Sequence, residues 1–399
     1  MLVYEYKLDG TRKQFQAIDE AIRTVQFIRN KCLRLWMDGE RVSKNDVQTN
    51  CAVLAKEYPF ARRLNSMARQ ASADRAWFAI SRFYDNCKNK KPGKKGYPQF
   101  QRNNRSVEYK TSGWKLDPDG RHITFTDGCG IGRLKLVGNR NQRVEEFPVK
   151  DIKRVRIVRR ADGYYAQFCI DTERNVAHIP TGSQIGIDVG LKAYLTDSEG
   201  KTVENPRHYR KAEKRLKRLS RRLSKKQKKS ANRKKARKAL AKQHLKVQRQ
   251  REDFARKTAN TYVTSHDLIA YEDLQIRNMV KNRKLAKSIH DAGWGMFIRW
   301  LNYYGVVHAI PVIAVSPHFT SQKCSDCGTI VKKSLSVRTH ICTGCGVVLD
   351  RDHNAALNIL HKALNGTEGH SGTSPTGQNA SGDLTSTTPS KRRSGTSSR

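Results

Sequence analysis

Apolar and polar positions alternate through Met1–Leu8 (MLVYEYKL), the period of a half-buried strand. From about Thr11 to Asn86 the period becomes helical. Phe15, Ile18, Ile22, Val25, Ile28 and Leu33 recur at three- and four-residue spacing. Met67, Ala71, Trp77, Phe78, Ile80 and Phe83 form a second run, and most of these aromatics are expected in helix cores. Lys88–Lys95 is a polar, lysine-rich break. Tyr97–Ile170 then reads as short strands: RSVEYKT, HITFTD, RLKLV and KRVRIVRRADGYYAQFCI. Asp119-Gly120 and Asp162-Gly163 are hairpin-turn pairs. This region predicts mostly antiparallel β structure, expected to close into a barrel. The strand at Met1 is expected to join it, with the helical segment inserted between.

At Ile185 the texture changes. Ile185–Val189, Tyr194–Thr196 and Thr202–Glu204 read as three consecutive strands, and a long basic helical segment follows from about Arg207 to Thr264. Strand Leu268–Tyr271, a helix from about Ile289 to Tyr304, strand Ile310–Val315 and helix Asn354–Leu364 complete the pattern. Strands first, then alternating helix and strand, predict an α/β sheet with helices on its faces. His370–Arg399 is rich in Ser, Thr and Gly without apolar periodicity and is expected to be a disordered tail.

Charge narrows the partners. The chain has 399 residues, with 78 Lys+Arg against 36 Asp+Glu, a surplus of +42. The length allows two or three domains with sizeable cores, and a hydrophobic fraction of 37% is enough to fill them. A surplus of this size repels itself unless a polyanion neutralises it, so nucleic acid is the first partner to consider. Arg210–Arg251 holds 21 Lys/Arg and one acid, Glu213, about half of the surplus. Leu216, Leu219 and Leu223 lie at helical spacing there, and Ser230-Ala231-Asn232 reads as a hinge. Two antiparallel basic helices would form a rail for a phosphate backbone. An uncompensated run of this length is a poor candidate for a merely solvated helix.

Other classes drop out. The N-terminal residues lack the basic and apolar regions of a signal peptide. The most apolar run, Gly305–Ser316, is too short to span a bilayer and is broken by His308 and Pro311. Of nine cysteines, Cys32, Cys51, Cys87, Cys129 and Cys169 are scattered, which suggests reduced thiols in an intracellular protein.

The other four are paired: Cys324-x-x-Cys327 and Cys342-x-x-Cys345, each followed by glycine, at Gly328 and Gly346. Two such knuckles bring four thiolates to one tetrahedral ion, so one structural Zn²⁺ is expected in a small ribbon. Ribosomal, transcription and nuclease proteins all use such ribbons, so the ribbon leaves the chemistry open.

Three carboxylates carry the chemistry. Asp188 lies in the apolar strand GIDVGL, Glu272 ends the apolar strand in LIAYEDL, and Asp352 opens the helix in DRDHNAALNIL. Singly, each has an ordinary reading, and for Asp352 alone a helix N-cap is the better one. As a set, two acids at strand ends and one at an adjoining helix start can meet at one edge. Such a set would hold two Mg²⁺ ions about 4 Å apart for phosphodiester cleavage.

The segments GIDVGLKAYLTDSEG, NPRHYRKAEKRLKRLSRRLSKK, YEDLQIRNM, TSQKCSDCG and RTHICTGCGVVLDRDHNAALNIL, with the upstream KKGYPQFQ, resemble the transposon-encoded TnpB family, relatives of the type V CRISPR nucleases. The resemblance implies an α+β multidomain chain. An N-terminal β-barrel wedge (1–10 and 91–180) would carry an inserted helical recognition segment (11–90). A RuvC-type, RNase H-like nuclease domain (181–319 and 349–366) would contain the basic hairpin (about 207–256) and an embedded zinc ribbon (320–348), before a tail (367–399). It assigns the catalytic, Mg²⁺-binding acids to Asp188, Glu272 and Asp352, and the zinc ligands to Cys324, Cys327, Cys342 and Cys345. Asp352 is preferred to Asp350 because the family's acid lies two residues before the step equivalent to Asn354-Ala355. By analogy Arg338 steadies the scissile phosphate, with a surface arginine as the alternative.

The implied activity is RNA-guided cleavage of double-stranded DNA. A guide RNA from the transposon end supplies the sequence, and the protein reads a short flanking motif. The resemblance also implies a cytoplasmic, nucleoid-associated prokaryotic protein with no membrane association and no protein partner required for cleavage. Two other classes keep the same sequence features: an RNA-guided DNA-binding regulator that does not cut, marked by loss of an acid, and a transposase that transfers strands with the same acids.

Overall fold

The computed structural model describes residues 1–138, 143–334 and 337–366. The expected disordered tail lies outside the described residues. Two units share the chain: Met1–Ala177 with Arg207–Phe254, and His178–Pro206 with the chain from Ala255 onward.

In the first unit, strand β1 (Leu2–Asp9) is followed by helices α1 (Arg12–Asp38), α2 (Lys44–Glu57), the single-turn α3 (Pro59–Arg62) and α4 (Ser66–Lys88). Local chemistry sets the breaks. Thr11 and Gln14 form a reciprocal capping box at the start of α1, and Ser43 with Asp46 forms another at α2. Asn65 caps α4. Ile18, Ile22, Val25, Ile28 and Leu33 are buried on α1 as expected. On α4 the buried face is made instead by Ala68, Ala71, Ser72, Ala73, Ala76 and Ile80. Phe78 is 57% exposed, which corrects the expectation of a core aromatic there. Small residues let α4 approach its neighbours closely, while Trp77 packs against the edge of the core as a partly buried ring.

Strands β2 (Ser106–Tyr109), β3 (Trp114–Leu116), β4 (His122–Phe125), β5 (Gly132–Val137), β6 (Ile152–Arg160) and β7 (Gly163–Ile170) join β1 in an antiparallel sheet ordered β2-β6-β7-β1-β5-β4-β3. β1 pairs with β7 from Leu2↔Ile170 to Lys7↔Tyr165, and with β5 at Leu8↔Leu136. The helices are therefore inserted between two strands of one sheet. A single apolar core joins them, with Ile18, Ile22 and Val25 packed in one cluster with Val107, Ile123, Ile157 and Phe168.

The basic segment of this unit is a helical hairpin: α5 (His208–Ser224) and α6 (Ala231–Ser265), the latter continuing into the second unit. The His208 ring lies 6.2 Å from Phe254, and Arg233 Nη1 donates to the carbonyls of Leu223 (3.0 Å) and Lys226 (2.9 Å), so the helices run antiparallel. Ser230 Oγ accepts from Arg233 N at 3.1 Å, which starts α6 one residue later, at Ala231. Arg249 Nη1 donates to Asp162 Oδ2 at 2.6 Å, and the guanidinium groups of Arg160 and Arg249 lie 5.4 and 5.3 Å from the Tyr165 ring.

The second unit is built on a five-stranded sheet ordered β10-β9-β8-β11-β12. Its strands are β8 (Gln184–Val189), β9 (Ala193–Asp197), β10 (Thr202–Glu204), β11 (Leu268–Glu272) and β12 (Val312–Val315). β8, β9 and β10 are antiparallel neighbours, whereas β11 runs parallel to both β8 and β12. Helices α7 (Ile276–Met279), α8 (Ala286–Ala292) and α9 (Trp294–His308) connect β11 to β12, and α10 (Arg351–Leu364) ends the described chain. The one helix expected over Ile289–Tyr304 is two, because Gly293 adopts φ +72° and ends α8 before α9 begins. A two-stranded hairpin, β13 (Thr339–Ile341) and β14 (Val348–Asp350), precedes α10 directly. Among the described residues no helix is long and apolar enough to cross a membrane.

Candidate active site and metal centre

In-register pairing puts Asp188 and Glu272 side by side. β8 and β11 are parallel, with Ala270 opposite Gly186 and Tyr271 opposite Ile187, so the next residues of the two strands are Asp188 and Glu272. Side chains alternate along a strand, so both acids share a face with Gly186 and Ala270. That face is covered by α10. Ile359 packs there with Ala270 and Val315. A Cβ on Gly186 would lie 2.2 Å from the Ala356 carbonyl oxygen and 2.9 Å from Leu360 N, so only glycine lets the helix backbone lie this close. The first turn of α10 then brings Asp352 to the same edge. Its Oδ2 lies 4.0 Å from where a Gly190 Cβ would stand.

Asp352 is not the cap of α10. Asp350 takes that role, its Oδ1 accepting from Asp352 N at 2.8 Å and His353 N at 3.4 Å. This moves the helix start from the expected Asn354 to Arg351 and leaves the Asp352 carboxylate available for the site. Its neighbours are arginines. Arg351 donates from Nε (3.1 Å) and Nη2 (3.0 Å) to Oδ1, and Arg338 donates from Nη1 to Oδ2 at 3.1 Å. Arg338 is thus a surface residue, 42% exposed, that also reaches the acid cluster. Asp273, the other neighbouring acid, is exposed.

Burial pushes Asp188 well above the usual carboxylate range, and the nearby charges of Glu272 and Asp352 push it further. Glu272 is also raised, by burial, although a hydrogen bond from the Thr320 hydroxyl and the charge of Lys362 oppose the shift. Among the described residues no hydrogen bond reaches the Asp188 carboxylate. A nearby acid shows the contrast. Asp197 is buried on β9, but it accepts from the Tyr262 hydroxyl (2.8 Å), Lys201 N (2.9 Å) and Glu199 N (3.1 Å), so it is satisfied within the protein. Asp188 lies beside the like charges of Glu272 and Asp352, opposed by those of Arg351 and Arg338, and the three carboxylates offer hard oxygens that suit a divalent cation such as Mg²⁺. The oxygens of all three acids are not within 4.8 Å of one another.

The four cysteines are that close: all their sulfurs lie within 4.8 Å of one another. The two knuckles repeat the same backbone geometry. Cys324 N donates to Thr329 O and Cys342 N to Val347 O, both at 2.9 Å, while Gly328 N and Gly346 N donate back to Cys324 O and Cys342 O at 3.1 Å. Gly328 and Gly346 adopt φ +81° and +79°, which explains the glycine after each pair. Hydrogen bonding with Thr329 pulls Cys327 down to about 6, which favours the thiolate that a metal needs. The set fits Zn²⁺.

Several supporting residues carry no motif of their own. Asn354, Asn358 and Lys362 fall at four-residue spacing on α10. Asn354 Nδ2 donates to Lys323 O (2.8 Å) and its Oδ1 accepts from Ser325 N (3.0 Å). Asn358 Nδ2 donates to Thr320 O (2.8 Å) and Lys323 O (2.7 Å), and Lys362 Nζ to Ser316 O (3.1 Å). This column fastens the segment that carries Thr320 and the first cysteine pair onto the helix that carries Asp352. Two polar residues buried on an otherwise apolar helix face were the available signal.

Comparison with known proteins finds relatives along most of the chain. A family described as "Probable transposase" (OrfB_IS605) matches residues 167–283, and one described as "Cas12f1-like, TNB domain" matches 294–359. A Streptomyces pristinaespiralis protein named "Putative RNA-guided DNA endonuclease" is 30% identical over 377 residues, covering 90% of this chain and 89% of that one. The Escherichia coli K12 protein "Putative RNA-guided DNA endonuclease InsQ" is 28% identical over 281 residues, covering 66% and 68%. Among solved structures, a Cas12f1–sgRNA–target DNA complex aligns with a TM-score of 0.51 at 15% identity, over 87% of this chain and 81% of that one, a likeness of fold.

Proposed function

The chain belongs to the TnpB family of RNA-guided DNA endonucleases, and from that premise we propose that it cuts double-stranded DNA at the edge shared by Asp188, Glu272 and Asp352. The observation that carries the site is the convergence of these three acids, two of them raised by burial, with no protein donor at Asp188. Those carboxylates would hold Mg²⁺. Bound there, two such ions supply an activated water and charge stabilisation for the leaving oxygen. Arg338, exposed and in contact with Asp352, would bind the scissile phosphate. Thr320 orients Glu272, and Arg351 orients Asp352.

The remaining assignments follow the same reading. The sheet of the second unit, with α10, serves as the RuvC-type nuclease domain, and the four cysteines hold one structural Zn²⁺. The seven-stranded sheet, whose pairing order ends at β2 and β3, serves as the wedge barrel, and α1–α4 as the recognition segment. The basic hairpin α5–α6 follows a phosphate backbone of the guide RNA or its heteroduplex. A transposon-end guide RNA, a short flanking DNA motif, action without a protein partner and a nucleoid location in a prokaryotic cytoplasm complete the proposal.

The test is cleavage of a DNA duplex matched to a supplied guide RNA, with and without Mg²⁺, for the wild type and Asp188→Ala. Mg²⁺-dependent double-strand cutting by the wild type alone is expected. Equal cutting by both proteins would overturn the site. Binding without cutting by both would identify a regulator, and joined transposon-end products would identify a transposase.

A further inference from the structure

The lysine-rich break Lys88–Lys95 plays no part in the active site or the basic hairpin. It contains five lysines and no acid. Lys88, Lys90, Lys91 and Lys94 are exposed, and the loop is folded back rather than loose. Lys90 N donates to Cys87 O and Lys91 N to Asn86 O, both at 3.1 Å, and Asn86 Nδ2 reaches forward to Lys95 O at 2.9 Å. Lys90, Gly93 and Gly96 take positive φ (46°, 78° and 79°), which makes the reversal. The chain leaving the loop is then pinned along α1. Asn30 exchanges two hydrogen bonds with Gln101, at 2.8 and 2.9 Å, and Arg29 donates to Gln99 O at 3.2 Å.

Beside this loop stands an aromatic cluster outside the main core. Trp36 Nε1 donates to the Tyr84 hydroxyl at 2.9 Å. The Tyr97 ring lies 5.5 Å from Trp36 and 5.3 Å from Phe83. Trp36 and Phe83 form the inner part, whereas Tyr84 and Tyr97 are 49% and 54% exposed. Two half-exposed tyrosines, held by rings behind them and bordered by four exposed lysines, combine open π surfaces with a positive edge. The acids nearby do not cancel that charge. Asp38 is paired with Arg34 at 2.6 Å, and Asp85 is the other acid at this end of α4.

We propose that Tyr84 and Tyr97, with the lysines of 88–95, form a second nucleic-acid site, which stacks unpaired bases of the guide RNA while the ammonium groups hold its phosphates. Rings of this kind need an open base face, which a guide RNA offers in its single-stranded segments and a DNA duplex hides within its stack. Lysines suit the phosphates because they bind them as mobile point charges without reading sequence. The inference rests on the reading of the chain as RNA-guided.

The test uses the full chain and two labelled probes, a single-stranded RNA and a DNA duplex, each of about 20 nucleotides or base pairs, titrated over a range of salt. Tyr84→Ala and Tyr97→Ala are each expected to weaken RNA binding about tenfold and to leave duplex binding unchanged. Lys91→Gln with Lys94→Gln should weaken RNA binding and flatten its salt slope by about 0.7 for each phosphate no longer neutralised. Tyr97→Phe keeps the ring and should keep the affinity, and unchanged thermal melting of each variant separates binding from folding. Unchanged RNA affinity in the alanine variants would overturn the site, as would an equal loss on duplex DNA. A wild-type chain that binds neither probe would overturn the RNA-guided reading as well.

Discussion

Arg351 and Asp352 are chain neighbours whose side chains fold back on each other: both Nε and Nη2 of the arginine reach the same carboxylate oxygen, at 3.1 and 3.0 Å. The Arg351 side chain is 14% exposed, against 42% for Arg338 on the other oxygen. Burial separates the two arginines by role. Arg351→Ala should destabilise the protein by about 1–2 kcal/mol, because it strips charged hydrogen bonds from a partly buried acid. Arg338→Ala should change stability by less than about 1 kcal/mol yet slow cleavage by about a hundredfold. Urea unfolding and single-turnover cleavage of both variants check this, and the opposite pattern would exchange the roles.

Gly186→Ala should be among the most damaging single-methyl additions in the chain. Its Cβ would meet backbone at 2.2 Å, and a helix backbone cannot rotate away as a side chain can. A loss of about 3 kcal/mol or more is expected in urea unfolding, with cleavage lost as α10 shifts. A fully active, stable variant would show that α10 does not need this close approach.

Asp188→Asn should stabilise the metal-free protein while ending cleavage. The folded state raises Asp188, so its contribution to stability is present below the ordinary carboxylate pKa near 4 and is lost as pH rises through the folded value. The advantage of the variant should therefore grow from acid to neutral pH in melts with chelator. Added Mg²⁺ should stabilise the wild type and leave the variant unchanged. An advantage that shrinks with rising pH would contradict the burial argument.

On the proposed reading of the four cysteines as a zinc site, removing the ion should disable the nuclease through geometry. β13 pairs Thr339 with Asp350, so the cysteine hairpin ends on the cap of α10 and on Arg338. A zinc-selective chelator should expose 320–350 to protease and abolish cleavage. Zn²⁺ should restore both, and Mg²⁺ alone neither. Full activity after zinc loss would mean that the hairpin does not support the site.

Much of this was legible in the chain because it depends on short periods and on residue types with few alternative uses. The alternation in GIDVG and LIAYE fixes which acids share a face once the strands pair, and doubled Cys-x-x-Cys-Gly admits few other readings. What stayed hidden depends on through-space packing. Gly186 looks like any strand glycine until α10 lies on it. Asn354 and Asn358 look like ordinary polar helix residues until they meet the carbonyls of Thr320 and Lys323. Taken alone, Asp352 read as the helix cap, and only the hydrogen bonds of the first turn show that Asp350 takes that role. On α4 the apolar pattern pointed to the aromatics: Trp77 does pack against the core, but Phe78 is exposed and the fully buried face is made mainly by alanines.

The chain passes between its two units at residues 177/178, 206/207 and 254/255, the last of these within the continuous helix α6. No single cut therefore yields both units whole. A break after Ala177 would give an N-terminal fragment lacking its basic hairpin and a C-terminal fragment carrying that hairpin without the sheet it packs with. The two parts must be inherited, recombined and engineered together, and a split version of this protein would have to reassemble through α6.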